Sequence, residues 1–434
     1  MALTGHRTFV GFGFGAIQAG LFFYEAFRSG GFARLVVGEV AADAVDSLRR
    51  NAGCYAVNVA HTDRVEAARV GPVQIENPAV PGDTARLVSA VAEAEEIATA
   101  VPSVRFYTGP GSGSIHRILA EGLRKKAAAR GPRAVVYAAE NHNHAAEILE
   151  AAVFEEIPSA EQAAVHERVC FLNTVIGKMS GVVSDADEIQ ALKLATVTPE
   201  SSRAFLVEAF NRILISQVCF PRAPGEPRFQ RGINAFVEKE DLLPFEEAKL
   251  YGHNATHALA AYLCSLRGLE RIAELRQTPE LRAFIRAAFL EESGEALIRK
   301  HGGKDRLFTP AGYREYADDL LMRMTNPHLH DSVERVGRDP DRKLGWDDRL
   351  VGTLRVALQQ NVVPRRYALG TAAALAALDP SYLETDVAAR TLLAPLWGSE
   401  TTETKEAQDV LTLIGDAKHW LKKWRDSGFK SVLY

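Results

Sequence analysis

Thr8-Phe9-Val10-Gly11-Phe12-Gly13-Phe14-Gly15-Ala16-Ile17-Gln18-Ala19-Gly20 sets a short apolar run ahead of a glycine-rich turn and a helical stretch. The pattern predicts a strand over 8–12, a turn at Gly13 and Gly15, and a helix over 16–27. A second apolar run, 34–38, ends at Glu39. Strand, turn, helix, strand in that order is a βαβ unit, because parallel neighbours need a crossover of about a dozen residues. Glycines at such a turn carry no Cβ to keep an anion away, and the free N–H groups at the helix start point toward it. The segment therefore suits a pyrophosphate, although a tight turn with no ligand has the same glycine pattern.

Glu39 follows Gly20 by 19 residues. At the end of the second strand a carboxylate can accept hydrogen bonds from the ribose hydroxyls of an adenine dinucleotide. Val40, Ala41 and Ala42 supply no cation for a 2′-phosphate, and Glu39 would repel one, so NAD is preferred over NADP. Contacts to the cofactor are expected from Gly13, Phe14, Gly15, Ala16, Ile17 and Glu39, and from Thr99, Ala100 and Val101 at the end of a later strand. A second glycine-rich loop, Gly109-Pro110-Gly111-Ser112-Gly113-Ser114, lacks the lysine of a P-loop and reads as a flexible start to the next helix.

Outward from this unit, residues 55–59, 64–70, 96–101 and 134–139 read as further strands, with helices over 84–94 and 114–130. From about residue 243 nearly all the periodicity is helical, over 250–266, 279–300, 309–324, 346–360 and 367–378. The expected architecture is α/β, an N-terminal Rossmann-type doubly wound sheet followed by a mostly α-helical C-terminal domain. The proline-rich stretch 220–231 precedes the change, which is placed at 240: residues 1–240 for the dinucleotide and 241–434 for substrate and catalysis.

Composition narrows the partners. The chain has 434 residues, 47% hydrophobic and 24% charged, with 51 Lys and Arg against 55 Asp and Glu. Such usage excludes a disordered or fibrous chain, and a net charge of -4 gives no broad basic surface for nucleic acid or anionic lipid. A small-molecule substrate is expected, with no nucleic acid and no membrane partner. Cys54, Cys170, Cys219 and Cys264 form no zinc-spaced pair and no disulfide framework. A reducing compartment fits them, no export signal or membrane span is visible, and the chain reads as cytoplasmic.

The segment Pro244-Phe245-Glu246-Glu247-Ala248-Lys249-Leu250-Tyr251-Gly252-His253-Asn254-Ala255-Thr256-His257 carries the chemistry. At about 100° per residue, with Lys249 at zero, Glu246 falls near 60°, His257 near 80° and Asn254 near 140°. One helix face thus holds an amine, a carboxylate, an amide and an imidazole. A lysine kept neutral by burial or nearby positive charge can take a proton from an alcohol, while amide donors stabilise the developing oxyanion. On charge pattern alone, an amphipathic helix turning its polar side to water has the same face.

With Lys249, Asn254 and His257 in a K-x-x-x-x-N-x-x-H array, this segment resembles the signature of the polyol-specific long-chain dehydrogenases, the mannitol dehydrogenase family. The resemblance implies Lys249 as general base, Asn254 as half of an oxyanion hole and His257 as the residue that orients substrate. It also casts Asn141, in Ala139-Glu140-Asn141, as the other half. Glu246 is expected to relay the proton or tune the lysine, with a helix-surface ion pair as the alternative.

Glu291-Glu292-Ser293-Gly294, Arg323-Met324-Thr325-Asn326-Pro327-His328-Leu329-His330-Asp331 and Val333-Glu334-Arg335-Val336-Gly337-Arg338-Asp339-Pro340-Asp341-Arg342-Lys343-Leu344 are similar to the mannitol-1-phosphate 5-dehydrogenase branch. Arg335, Arg338, Arg342 and Lys343 could meet a sugar phosphate or pair with Glu334, Asp339 and Asp341. Substrate contacts are expected from Arg323, His142, Lys178, Arg335 and Arg338, without a metal. The resemblance leans toward a monomer or weak dimer.

The chain departs from the family pattern in three places. Gln18 and Ala19 replace a glycine and an arginine of the G-x-G-x-x-G-R-G turn. His142, Asn143 and His144 stand where an apolar pair and an arginine are usual, and Gly177 and Lys178 replace an acid and an arginine. The implied activity is NAD-dependent interconversion of a polyol phosphate and its ketose phosphate. The alternatives are a dehydrogenase for an unphosphorylated polyol or sugar acid, or a non-catalytic NAD-binding sensor.

Overall fold

In the computed structural model, which describes residues 7–221 and 228–429, the chain packs as two compact units, Met1–Leu242 and Leu243–Tyr434. The described strands of the first unit are β1 (Arg7–Phe12), β2 (Phe32–Gly38), β3 (Tyr55–Ala60), β4 (Val65–Val70), β5 (Gln74–Glu76), β6 (Glu96–Thr99), β7 (Ala134–Ala138), β8 (Val169–Val175), β9 (Ser180–Val183), β10 (Ala204–Glu208), β11 (Ile213–Ser216) and β12 (Phe236–Lys239). Eight form one sheet in the order β12-β11-β8-β7-β6-β1-β2-β5. From β5 to β8 all neighbours are parallel, and β11 joins antiparallel to β8.

Strands covered on both faces read as unbroken apolar runs, as Ala134-Val135-Val136-Tyr137-Ala138 does. Successive side chains then feed opposite cores: Phe9, Leu35, Val37 and Tyr137 one, and Val10, Val36, Ile97 and Val136 the other. Helices Pro81–Glu93 and Ile115–Ala128 cover the second face and pack on each other. Strand order reverses between β1 and β6. The crevice beyond the carboxyl ends of those two strands is where such sheets bind ligands.

Two expected strands belong elsewhere. Residues 55–59 and 64–70 do not join the doubly wound sheet; they are β3 and β4 of a separate sheet ordered β4-β3-β10-β9. Their register, Tyr55↔Val70 to Ala60↔Val65, is antiparallel. The His61 N–H donates to the Arg64 carbonyl across the tip, 2.8 Å, and only antiparallel strands can be joined by so short a turn. Phe14 leaves the glycine turn to pack edge-on against Tyr55 and Phe205 of this sheet, at 5.0 and 5.8 Å.

Among the described residues the regular elements of the second unit are all helical, including Ala255–Leu266, Pro310–Met324, Val351–Gln359, Arg365–Leu378 and Lys405–Asp426. Helix Arg365–Leu378 packs against both Ala255–Leu266 and Lys405–Asp426. Its Ala372, Ala373 and Ala374 are buried. At Gly370 a Cβ would lie 2.4 Å from Leu259 Cδ1, so glycine is what lets the two helices touch.

Among the described residues three π-helical stretches interrupt otherwise α-helical runs: Gln18–Phe23, Ala248–Asn254 and Ala288–Gly294. The i→i+5 bonding adds a residue to each turn, so the 100° step does not hold from Glu246 to His257. The helix expected over 250–266 begins earlier, at Leu243–Glu247. The one expected over 279–300 is Pro279–Ala287, the third π stretch, and Glu295–His301.

Candidate active site

Gly13 has φ +84°, and a Cβ there would lie 2.7 Å from the Ala100 carbonyl oxygen, so glycine is required between the ends of β1 and β6. Its N–H donates to the Gly38 carbonyl, 2.8 Å, and closes β1 onto β2. Gly15 has no neighbour within 4 Å of an added Cβ, which leaves its backbone open. Glu39 accepts from the Phe14 N–H at 2.6 Å and from the Ala41 N–H at 2.9 Å. A carboxylate and bare backbone therefore flank this crevice, and the residues present fit a dinucleotide with free ribose hydroxyls. The Phe14 ring is in the core, and only its backbone faces Glu39. Ala16 is buried and Ile17 partly so.

Gln18, in place of the third glycine, turns inward. A Cβ on Gly11 would lie 2.0 Å from Gln18 Nε2, so Gly11 makes the room that Gln18 fills. Neither polar atom of the Gln18 amide finds a hydrogen-bond partner among the described residues.

Glu140, known from sequence only as the acid before Asn141, is a buried tie. It accepts from Thr99 Oγ1 and the Val101 N–H, both 2.9 Å, and from the Tyr107 hydroxyl. Burial raises its pKa, and those three donors oppose the rise. Through it, Thr99, Ala100 and Val101 are held to the turn that presents Asn141. Asn141, His142, Asn143 and His144 are exposed, and the His144 N–H donates to His142 Nδ1, 3.1 Å. Asn173 anchors the helix that follows, accepting from the Ala146 N–H at 2.9 Å and donating to Glu147 at 2.8 Å. Lys178 is buried, and its ammonium donates to the Phe210 carbonyl, 2.8 Å.

In the second unit, Lys249 and Asn254 lie on the π stretch Ala248–Asn254 and His257 on the α-helix that continues it. Such a stretch displaces carbonyls from the regular ladder. The Tyr251 carbonyl receives Thr353 Oγ1 at 3.1 Å. Gly252 admits Tyr313 and Phe289: a Cβ there would lie 2.6 Å from the Tyr313 hydroxyl. The Lys249 pKa is lowered to about 8, first by burial and then by the Arg349 cation, with Glu246 opposing the fall. An amine in that range is neutral in only a minority of molecules near physiological pH, but in far more of them than an ordinary lysine, and that neutral fraction can act as a base.

His253, which the sequence reading did not single out, is buried and held neutral, first by burial and then by Arg323, His257, Lys249 and Arg349. Its ring lies 6.4 Å from that of His257. His257 Nε2 is 3.3 Å from the buried Asp331 carboxylate, which also pairs with Arg335. Arg323 is buried and 3.2 Å from Asp319. Arg338 is exposed, with Asp339 at 3.9 Å. Lys343 is buried and lowered to about 8, first by burial and then by Arg349 and Arg342. This unit thus collects Lys249, His253, His257, Arg323, Lys343 and Arg349 around Glu246 and Asp331. The sequence reading missed Asp331 and Arg349 as well; only their fold neighbours distinguish them from other charged residues.

Among the described residues no group of three or more His, Cys, Asp or Glu is arranged to hold a metal ion. No helix among them is long and apolar enough to cross a membrane.

Comparison with known proteins covers both units. Residues 7–221 match the mannitol dehydrogenase Rossmann domain, and residues 241–422 match the mannitol dehydrogenase C-terminal domain. A mannitol-1-phosphate 5-dehydrogenase of Exiguobacterium sibiricum is 30% identical over 378 residues, 86% of this chain and 87% of that protein. One from Pseudarthrobacter chlorophenolicus is 31% identical over 301 residues, 69% of each. A substrate-free D-sorbitol dehydrogenase superposes with a TM-score of 0.75 at 15% identity, over 100% of this chain and 96% of that one. Pseudomonas fluorescens mannitol 2-dehydrogenase, solved with NAD and D-mannitol, gives 0.69 at 16% identity, over 100% and 95%. These two structures share the fold, and the sequence matches across both units place this chain in the mannitol dehydrogenase family.

Proposed function

We propose that the chain is an NAD-dependent polyol dehydrogenase, interconverting a secondary alcohol of a polyol phosphate of the mannitol-1-phosphate type and the corresponding ketose phosphate. The observation that carries this reading is the Lys249 amine, lowered to about 8 on the helix that also bears Asn254 and His257. In this reading residues 1–240 bind the dinucleotide and 241–434 supply the base. Bound NAD would accept the hydride from the carbinol carbon.

Neutral Lys249 takes the hydroxyl proton, and the side-chain amides of Asn141 and Asn254 donate to the oxygen as charge develops on it. Asp331, 3.3 Å from His257 Nε2, stands where it can orient the imidazole toward substrate. The cations of the second unit favour an anionic substrate. Glu39, already bonded to the Phe14 amide, would accept from ribose hydroxyls and repel a 2′-phosphate. The relatives named for a 1-phosphate substrate support the phosphorylated class.

A second reading, an unphosphorylated polyol or a sugar acid, is favoured by two engaged cations: Arg335 pairs with Asp331 and Lys178 with the Phe210 carbonyl. The test is reduced-nicotinamide formation across hexitols, pentitols, their 1-phosphates and the corresponding sugar acids, with NAD binding measured separately. A kcat/KM for a hexitol 1-phosphate roughly a hundredfold above that of the free hexitol is expected. Turnover of free polyols or sugar acids alone selects the second reading. NAD binding without any turnover contradicts both and leaves a non-catalytic sensor.

A further inference from the structure

Cys170 lies on β8, and Cys219 lies three residues beyond the end of β11. These strands pair antiparallel, with Leu214↔Val175 and Ile215↔Thr174. In an antiparallel register each step forward on one strand is a step back on the other, so Cys219 falls opposite Cys170. The chain beyond β11 keeps that course. Arg133, next to β7, donates to the Pro221 carbonyl at 2.5 Å, and its guanidinium lies 5.2 Å from the Phe220 ring centre. Since Ala134 pairs with Val169, Pro221 is beside residues 168–169, where the continued register puts it.

We propose that Cys170 and Cys219 form a thiol–disulfide site. Residues directly opposite in such a ladder have Cβ atoms about 4.5–5.5 Å apart, and a disulfide needs about 3.5–4.5 Å. The difference is a small approach, and residues 217–221 belong to no strand and are able to make it. Both cysteines are free thiols; Cys219 is exposed and Cys170 partly buried. Burial pushes the Cys170 thiol up, the Cys219 backbone N–H at its sulfur opposes that, and the Cys219 sulfur is near enough to act on it. The spacing of 49 residues gives no hint of this pair in the sequence.

The oxidant is a low-molecular-weight disulfide such as oxidised glutathione. The Cys219 thiolate attacks one of its sulfurs and expels the other half as a thiolate. Deprotonated Cys170 then attacks Cys219 Sγ, breaks that mixed disulfide and expels the second half. Two protein thiols become one disulfide, and the small disulfide leaves as two thiols that take up both protons.

The test incubates the full folded chain in glutathione buffers of increasing oxidation, alkylates the remaining thiols, and maps tryptic peptides by mass. The expected product joins peptide 169–178 to peptide 213–222, while Cys54 and Cys264 stay alkylatable. In Cys170→Ser, Cys219 should stop at the glutathione mixed disulfide. In Cys219→Ser, whose change is at the exposed position, no link should form and Cys170 should remain a thiol. Overturning results are a wild type that also stops at the mixed disulfide, a wild type that keeps all four thiols at every ratio, or a link that forms only in denaturant.

Discussion

Lys249→Ala is expected to lower kcat for alcohol oxidation by about 10²–10⁴-fold while leaving NAD affinity within about twofold. The size follows from the role, since without the amine the hydroxyl proton has to pass to water during hydride departure. The fold should survive, because alanine is a strong helix former and the chain already makes a continuous helical run through this position. Circular dichroism and nicotinamide titration check fold and cofactor binding separately. Lys249→Arg should not rescue, because a guanidinium stays protonated. A Lys249→Ala enzyme with near wild-type kcat would remove the lysine from the chemistry.

Asn254→Ala, and separately Asn141→Ala, are each expected to cost about 10²–10³ in kcat with a much smaller change in KM. An amide that donates to oxygen mainly as charge develops stabilises the transition state more than bound substrate. The double variant should lose less than the product of the single losses if both amides serve one oxygen. Steady-state kinetics in both directions measure this. A rise in KM with kcat unchanged would make the residues substrate anchors instead.

The βαβ unit is legible because the physical constraints on it are local. An apolar run is covered on both faces, glycine is needed where β1 approaches Ala100, and Glu39 directly follows β2. The helical half is legible from periodicity. What escapes is short or relational. β5, β9 and β11 have three or four residues each, and β8 interrupts its apolar run with Asn173 and Thr174. The β3–β4 hairpin has residues as β-rich as a core strand, and only its pairing partner distinguishes it.

The π stretches are invisible to a 3.6-residue pattern, so the Lys249, Asn254 and His257 array was readable as a motif but not as a wheel. Glu140, His253, Asp331 and Arg349 gain their places from contacts between segments far apart in sequence. Phe14, expected at the cofactor, packs its ring against Tyr55 and Phe205 and donates its amide N–H to Glu39. Lys178, expected at the substrate, donates to a backbone carbonyl.

The pH dependence of kcat/KM in both directions tests the lysine base most directly. Alcohol oxidation needs the neutral amine, so its rate should rise as pH passes about 8. Ketose reduction needs the ammonium and should fall through the same range. Arg349→Gln removes a cation that lowers the Lys249 pKa and should move both limbs to higher pH; Glu246→Gln removes a carboxylate that raises it and should move them lower. Opposite displacements in the two variants are the predicted result. A flat profile, or limbs that neither variant moves, would contradict the assignment of Lys249 as the base.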